Sequence, residues 1–308
     1  MKKISIVSPT FNEEGNVPVF YKRVTEVMAK HPLDYEIIFI DNASTDQTSS
    51  ILRNLAKEDA KVKVILNATN FGHIRSPYHG LLQAEGDAIL LLASDLQDPP
   101  ELIDSLIENW YKGSKVVLAV KSTSDEAWPL RVLRNAYYGL LSKVSSVPLV
   151  KNATGAGLFD RDVIAELRKL VEPYPYFRGL VTELGFPVSK VEFHQPPRHS
   201  GKTKNNWLTL YDIGILGLTT HGGAAIRLVT LTAFAVATLS LFVSIGYLVA
   251  KLLNWDSFEL GLTPLILGVF FFGSLQVFIL GLLGEYIANI QRRLRNLPLV
   301  IENERINF

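Results

Sequence analysis

Two apolar stretches near the C-terminus constrain this chain most. Leu228 to Ala250 is 23 residues without a charge, and Leu260 to Gly284 is 25. About 20 apolar helical residues span a bilayer core. Each stretch therefore predicts a membrane-spanning helix, and the short Lys251–Glu259 link between them predicts a hairpin. Arg227 precedes the pair, and Arg292, Arg293 and Arg295 follow it. Positive charge at the outer ends places both termini in the cytoplasm, in a multi-pass protein of the plasma (inner) membrane. Asn206 to Thr220, with Trp207, Leu208, Leu210, Tyr211, Ile213, Ile215 and Leu216, reads as an amphipathic helix lying in the interface. The expected layout is a soluble domain over 1–205, an interface segment over 206–225, a two-helix hairpin over 226–291 and a tail over 292–308.

Composition removes several function classes. Basic and acidic residues nearly balance, 31 against 30, so no nucleic-acid footprint is expected. The absence of cysteine rules out disulfides, thiol nucleophiles and thiolate metal sites. Met1-Lys2-Lys3-Ile4 leads directly into a strand pattern, without the apolar core of a signal peptide.

Within 1–205, strand and helix patterns alternate. Ile4 to Glu14 is a strand ending in a polar loop, followed by a helix with Val17, Phe20, Val24 and Val27 on one face. Tyr35 to Ile40 ends at Asp41-Asn42-Ala43-Ser44-Thr45-Asp46, where Thr45 or Asp46 can cap the next helix. Further strands are expected at Val62–Leu66, Ala88–Ala93, Lys115–Val120 and, at an edge, Val188–Phe193. Helices are expected over 74–84, 99–111 and 129–144. This pattern predicts an α/β fold with a doubly wound, mostly parallel sheet, all strand-end loops lying on one edge.

That edge collects Phe11, Asn12, Glu13, Asp41, Asn42, Asp95, Gln97 and Asp98. A strand end needs no acid, yet three successive strands end in one. Converging carboxylates at the switch point of such a sheet indicate a nucleotide site. Asp95, Gln97 and Asp98 offer hard oxygen ligands suited to Mg²⁺ or Mn²⁺ carrying a diphosphate. Asp98 is also expected to cap the following helix, with Pro99 at its first position. No G-x-G-x-x-G follows the first strand and no G-x-x-x-x-G-K-[ST] occurs, which disfavours dinucleotide and P-loop chemistry. A nucleotide-sugar is the leading ligand.

Near the membrane segment, Pro196 to Lys204 is a basic loop with a glycine hinge at Gly201. Arg198, Lys202 and Lys204, with Arg131 and Arg134, suit a lipid phosphate; attraction to anionic lipid is the simpler reading. His73, His79, His194 and His199 are scattered and suggest no metal site.

The stretches Ser8-Pro9-Thr10-Phe11-Asn12-Glu13-Glu14, Asp41 to Asp46, Asn70-Phe71-Gly72, Asp95 to Ile103, Pro197-Arg198 with Gly201-Lys202-Thr203-Lys204, and Gly284 to Ile287 span the chain in order. In these the chain resembles the family 2 glycosyltransferases of the dolichyl-phosphate-mannose-synthase type, in particular the bacterial polyprenyl-phosphate enzymes with two C-terminal membrane helices. The resemblance implies a GT-A fold and inverting transfer of a sugar from a nucleotide diphosphate sugar, expected to be a UDP-sugar, to a polyprenyl phosphate of undecaprenyl type. It also implies envelope glycan modification as the purpose, a divalent metal (Mg²⁺ or Mn²⁺) and a homotetramer. Carried over position by position, Pro9, Phe11, Glu13 and Ser94 resemble nucleotide contacts, and Asp41 the base-reading acid. Asp95 and Gln97 resemble metal and diphosphate ligands. Arg131, Arg134, Arg198, Lys202 and Lys204 are candidate holders of the acceptor phosphate. Asp95, Arg198 and Lys202 are the expected catalytic residues.

Two positions depart from the family pattern. Ala93 stands where the first acid of Asp-x-Asp-Leu-Gln-Asp is usual, and Thr154-Gly155-Ala156-Gly157 replaces a segment with an acid and an arginine. A phosphate acceptor is already ionised near neutral pH, so the reaction needs positioning and charge neutralisation more than a general base. The same departures motivate an alternative, a membrane-anchored nucleotide-sugar-binding scaffold without turnover. A processive polysaccharide synthase is disfavoured, because no Gln-x-x-Arg-Trp follows the domain.

Overall fold

The computed structural model describes residues 2–123, 150, 152–170, 172, 175–196, 262–294 and 297–308, with scattered positions between 235 and 253. Strands are β1 Lys3–Thr10, β2 Asp34–Asp41, β3 Val62–Asn67, β4 Ala88–Leu91, β5 Val116–Thr123, β6 Ala153–Asp160, β7 Val188–His194 and β8 Glu302–Ile306. Helices are α1 Val17–Met28, α2 Thr48–Glu58, α3 Gly72–Gln83, α4 Leu102–Tyr111, α5 Arg161–Lys169, α6 Phe177–Glu183 and α7 Leu262–Leu294.

One sheet runs β7-β5-β6-β4-β1-β2-β3-β8. Its centre, β4-β1-β2-β3, is parallel throughout. The parallel centre and the crossing helices give the GT-A-like α/β fold that the sequence predicts. Period-2 alternation divides each central strand between two cores. Ile4, Ile6, Ile37, Phe39 and Leu90 pack with α1, α2 and α4 on one face. Val7, Ile38, Ile40, Ile65 and Ile89 pack with α3, α5 and α6 on the other. The expected α1 face is buried as a unit, with Val17, Phe20, Val24 and Val27 at 0–2% exposure.

Two strands have no counterpart in the sequence reading. β6 inserts antiparallel between β4 and β5. Its Ala-Thr-Gly-Ala-Gly start is poor in strand formers, but Gly157 is required by packing: a Cβ there would stand 2.5 Å from the Val117 carbonyl oxygen. β8 lies in the expected 292–308 tail and pairs antiparallel with β3. Arg53 bonds Glu304 at 2.8 Å, His79 contacts Glu302 at 2.6 Å, and the Asn307 amide donates to the carbonyls of Ala56 and Val62.

α7 is 33 residues long, and its window Phe271–Ala288 has a mean hydropathy of 1.6 with none of it buried. Among the described residues it is the one helix long and apolar enough to cross a membrane. Val269, Val277, Phe278, Leu280 and Ile287 are all more than 60% exposed, as a lipid-facing surface requires. The first expected span, the interface helix and the helix over 129–144 lie outside the described residues.

Candidate active site

The ends of β1, β2, β3 and β4 open into one cavity of about 570 Å³. This is the edge where open α/β sheets bind ligands, and the size suits a nucleotide-scale molecule. Pro9, Phe11, Glu13, Ser94 and Asp95 all line it. Asp41 and Gln97 do not. Arg131, Arg134, Arg198, Lys202 and Lys204 lie outside the described residues.

The loops around the cavity hold one another in place. Asp41 is buried and accepts from the Ser44 amide and hydroxyl, from Ser49 Oγ at 2.9 Å and from Thr10 Oγ1 at 3.2 Å. Four donors fill the acceptor directions of one carboxylate. In this state Asp41 shapes the loop after β2. Asn42 is a second hub: its amide donates to Asn70 Oδ1 at 2.8 Å, and its oxygen accepts from the Phe71 amide at 2.8 Å. Ser94 Oγ donates to the Pro9 carbonyl at 3.0 Å, tying the ends of β4 and β1 together. Asp46 Oδ1 accepts from the Thr48 amide at 3.0 Å at the entry to α2, but the cap position is Gln47 and no side chain caps the helix, so neither Thr45 nor Asp46 is the cap that the sequence predicts. Three non-glycine residues with positive φ, Asn12, Ala43 and Leu96, sit in the loops that follow β1, β2 and β4. Such backbone costs roughly 1–3 kcal/mol each and persists where surrounding contacts over-determine it, which is common at functional loops.

Asp98 is a correction to the capping expectation. α4 begins at Leu102 with Glu101 at its cap position, and no side chain caps it. A run of turns and bends separates Asp98 from the helix. Its side chain instead lines the cavity, 6% exposed. Thr154 hydrogen-bonds the carboxyl, yet Oδ1 has no partner. Burial, reinforced by the nearby Asp95 charge, pushes Asp98 up to about 6 against the pull of Thr154, Arg178 and Lys121. Asp95 is likewise buried, and its Oδ1 accepts from the Gln97 amide at 3.1 Å.

Arg178 is a site residue that the sequence reading missed. It stands at the start of α6, lines the cavity and donates to the Thr154 carbonyl at 2.6 Å. Gly155, at φ +100, runs beside its guanidinium. Burial and the Arg178 charge both lower the proton affinity of His73, so this cavity-lining imidazole is neutral at pH 7. The sequence signal for Arg178 was weak, a cation after the aromatic run Tyr174 to Phe177.

Among the described residues no group of three or more acids and histidines could hold a metal alone. Mg²⁺ sites that carry a substrate diphosphate commonly use only one or two carboxylates, the rest being phosphate and water oxygens. Two buried carboxylates in one cavity, one with an orphaned oxygen, fit that requirement.

The model of the family described as glycosyl transferase family 2 matches residues 5–168. The SfII prophage-derived bactoprenol glucosyl transferase of Shigella flexneri is 33% identical over 299 residues, covering 96% of each chain. The bactoprenol glucosyl transferase of Shigella phage SfV is 33% identical over 307 residues, covering 98% of this chain and 99% of its own. Among solved structures, glucosyl-3-phosphoglycerate synthase from Mycobacterium tuberculosis, in complex with Mn²⁺, UDP and phosphoglyceric acid, matches with a TM-score of 0.48 and 18% identity, covering 71% of this chain and 77% of that one. On the family match and near full-length likeness to the bactoprenol transferases, the chain belongs to glycosyl transferase family 2.

Proposed function

We propose that this enzyme transfers a glycosyl group from a nucleotide diphosphate sugar to a polyprenyl phosphate at the cytoplasmic membrane face, with inversion at the anomeric carbon. The observation that carries this reading is a strand-end cavity lined by Asp95 and Asp98 in a chain that also carries a long, apolar and unburied helix. The names of the 33%-identical relatives support bactoprenol phosphate as acceptor and glucose as the first sugar to test. UDP is the proposed nucleotide.

Pro9, Phe11, Glu13 and Ser94 are proposed to contact the nucleotide. Base reading by Asp41 requires Ser49 or Thr10 to turn its hydroxyl away when the nucleotide binds. Asp95 and Gln97 are the proposed holders of Mg²⁺ or Mn²⁺. A divalent ion there supplies neutralisation of the leaving diphosphate. Arg131, Arg134, Arg198, Lys202 and Lys204 are proposed to hold the acceptor phosphate. A phosphate oxygen attacks the anomeric carbon as the bond to the donor diphosphate breaks, and the electron pair leaves with the nucleoside diphosphate. No proton need move, because the nucleophile is already an anion. The cavity residues therefore orient the two reactants and offset charge.

The proposed topology keeps the 1–205 domain and both termini in the cytoplasm, with an interface segment over 206–225, a hairpin over 226–291 and a tail over 292–308. β8 supports it. This strand follows α7 in sequence yet pairs with β3 of the N-terminal domain. The intervening chain must then cross the bilayer an even number of times. α7 accounts for one crossing, and the charge-free stretch from Leu228 to Ala250 is suited to the other. A homotetramer is part of the reading.

The test is transfer by purified protein from UDP-[¹⁴C]glucose to undecaprenyl phosphate with Mg²⁺ or Mn²⁺. Chloroform-extractable label that is lost in Asp95→Asn supports the proposal. Turnover that survives Asp95→Asn would place the chemistry elsewhere.

A further inference from the structure

We propose that Asp98 is the second carboxylate ligand of the divalent cation, beside Asp95. The inference rests on the nucleotide-sugar reading of the cavity and deepens it.

Three observations converge on it. First, the Asp98 side chain lines the cavity that Asp95 also lines, whereas Gln97 is not among the lining residues. Second, Asp98 is buried and its Oδ1 has no hydrogen-bond partner. A buried acceptor without a partner is rare and costly, and an unfilled ligand is one of its few explanations. Third, Asp98 does no helix-capping work, since α4 starts at Leu102 and carries no side-chain cap. A residue with neither a cap nor a complete set of partners is retained at a cost that a bound cation would reverse.

The geometry of the loop favours a pair. The Asp95 oxygen that accepts from the Gln97 amide is fixed by a bond inside the 95–98 turn. Thr154, on β6, hydrogen-bonds the Asp98 carboxyl. Each acid is thus braced by protein, with the Asp98 Oδ1 left over. Arg178 and Lys121 are near enough to feel the Asp98 charge, but neither bonds Oδ1. Two carboxylates plus diphosphate oxygens make an oxygen-rich site for Mg²⁺ or Mn²⁺.

The experiment is Mn²⁺ titration of the full-length protein in detergent, with UDP present, followed by electron paramagnetic resonance of free Mn²⁺. UDP binding in EDTA is measured in parallel as a check on the pocket. Asp98→Asn is expected to weaken Mn²⁺ at least ~10-fold while leaving UDP binding in EDTA within about twofold. Mn²⁺ affinity equal to wild type would overturn the assignment. So would loss of UDP binding in EDTA, which would mean that Asp98 shapes the pocket instead. A wild-type protein that takes up neither UDP nor Mn²⁺ would overturn the nucleotide reading itself, and this inference with it.

Discussion

Replacing Asp98 by asparagine should stabilise the metal-free protein. The acid is almost fully buried, and its proton affinity rises from the ordinary 3.8 to about 6. The folded state therefore binds a proton that the unfolded state has released. Stability lost to this group is complete above about pH 6 and is recovered as pH falls towards 3.8. The rise from 3.8 to about 6 corresponds to roughly 3 kcal/mol at pH 8. At pH 5 the unfolded acid is already ionised while the folded one is mostly protonated, which leaves about half of that cost. Asparagine keeps the shape and removes the charge. Asp98→Asn in EDTA should therefore melt about 6–10 °C above wild type at pH 8, and by clearly less at pH 5. Thermal denaturation of detergent-solubilised protein followed by tryptophan fluorescence reads both. A variant that melts at or below wild type at pH 8, or whose gain is the same at both pH values, would refute the argument that the buried charge is uncompensated.

Other consequences follow from the same packing. Glu36, on β2, is buried between partners from β1 and β3, bonded to Lys3 Nζ at 2.6 Å, Lys63 Nζ at 2.9 Å and Ser5 Oγ. Burial alone would raise its proton affinity, but these partners together hold it below the usual glutamate value. Its contribution is present above about pH 4.5 and disappears as pH falls through the lowered folded value, so Glu36→Gln should cost about 3 kcal/mol at neutral pH and flatten the acid limb of the stability curve. Gly157→Ala should cost about 1–3 kcal/mol by chemical denaturation, because its Cβ meets a backbone oxygen that cannot move alone. Arg178→Ala should lower transfer efficiency at least ~10-fold, with Arg178→Lys restoring only part, if a fixed guanidinium faces a phosphate or sugar oxygen. The chain has no cysteine, so single cysteines report topology cleanly: Ser257→Cys should label from outside intact spheroplasts, and Glu26→Cys only after lysis.

The central sheet was legible because each strand is an apolar run ending at a polar loop, and its helices carry one apolar face. β6 was not, since Gly157 answers to the closeness of β5, a tertiary fact that local propensity does not encode. β8 was hidden by charge: Glu302, Glu304 and Arg305 read as a solvated tail until Arg53, His79 and Gln83 are seen to face them. Pro9, Phe11, Glu13, Ser94 and Asp95 could be placed at the cavity from sequence because they belong to strand-end motifs. Asp98 was misjudged because Asp-Pro-Pro is a strong helix-start pattern, and only the intervening turns reveal that the side chain faces the cavity. Arg178 comes from a helix outside any strand-end motif.

The central claim is sugar transfer to a lipid phosphate at the Asp95 edge. Its most direct measurement is chloroform-extractable label formed from UDP-[¹⁴C]glucose and undecaprenyl phosphate by purified wild-type protein and by Asp95→Asn. The account predicts a lipid-linked monosaccharide that requires divalent metal and falls at least ~100-fold in the variant. Nucleotide binding with no lipid-linked product from any nucleotide-sugar donor would contradict it.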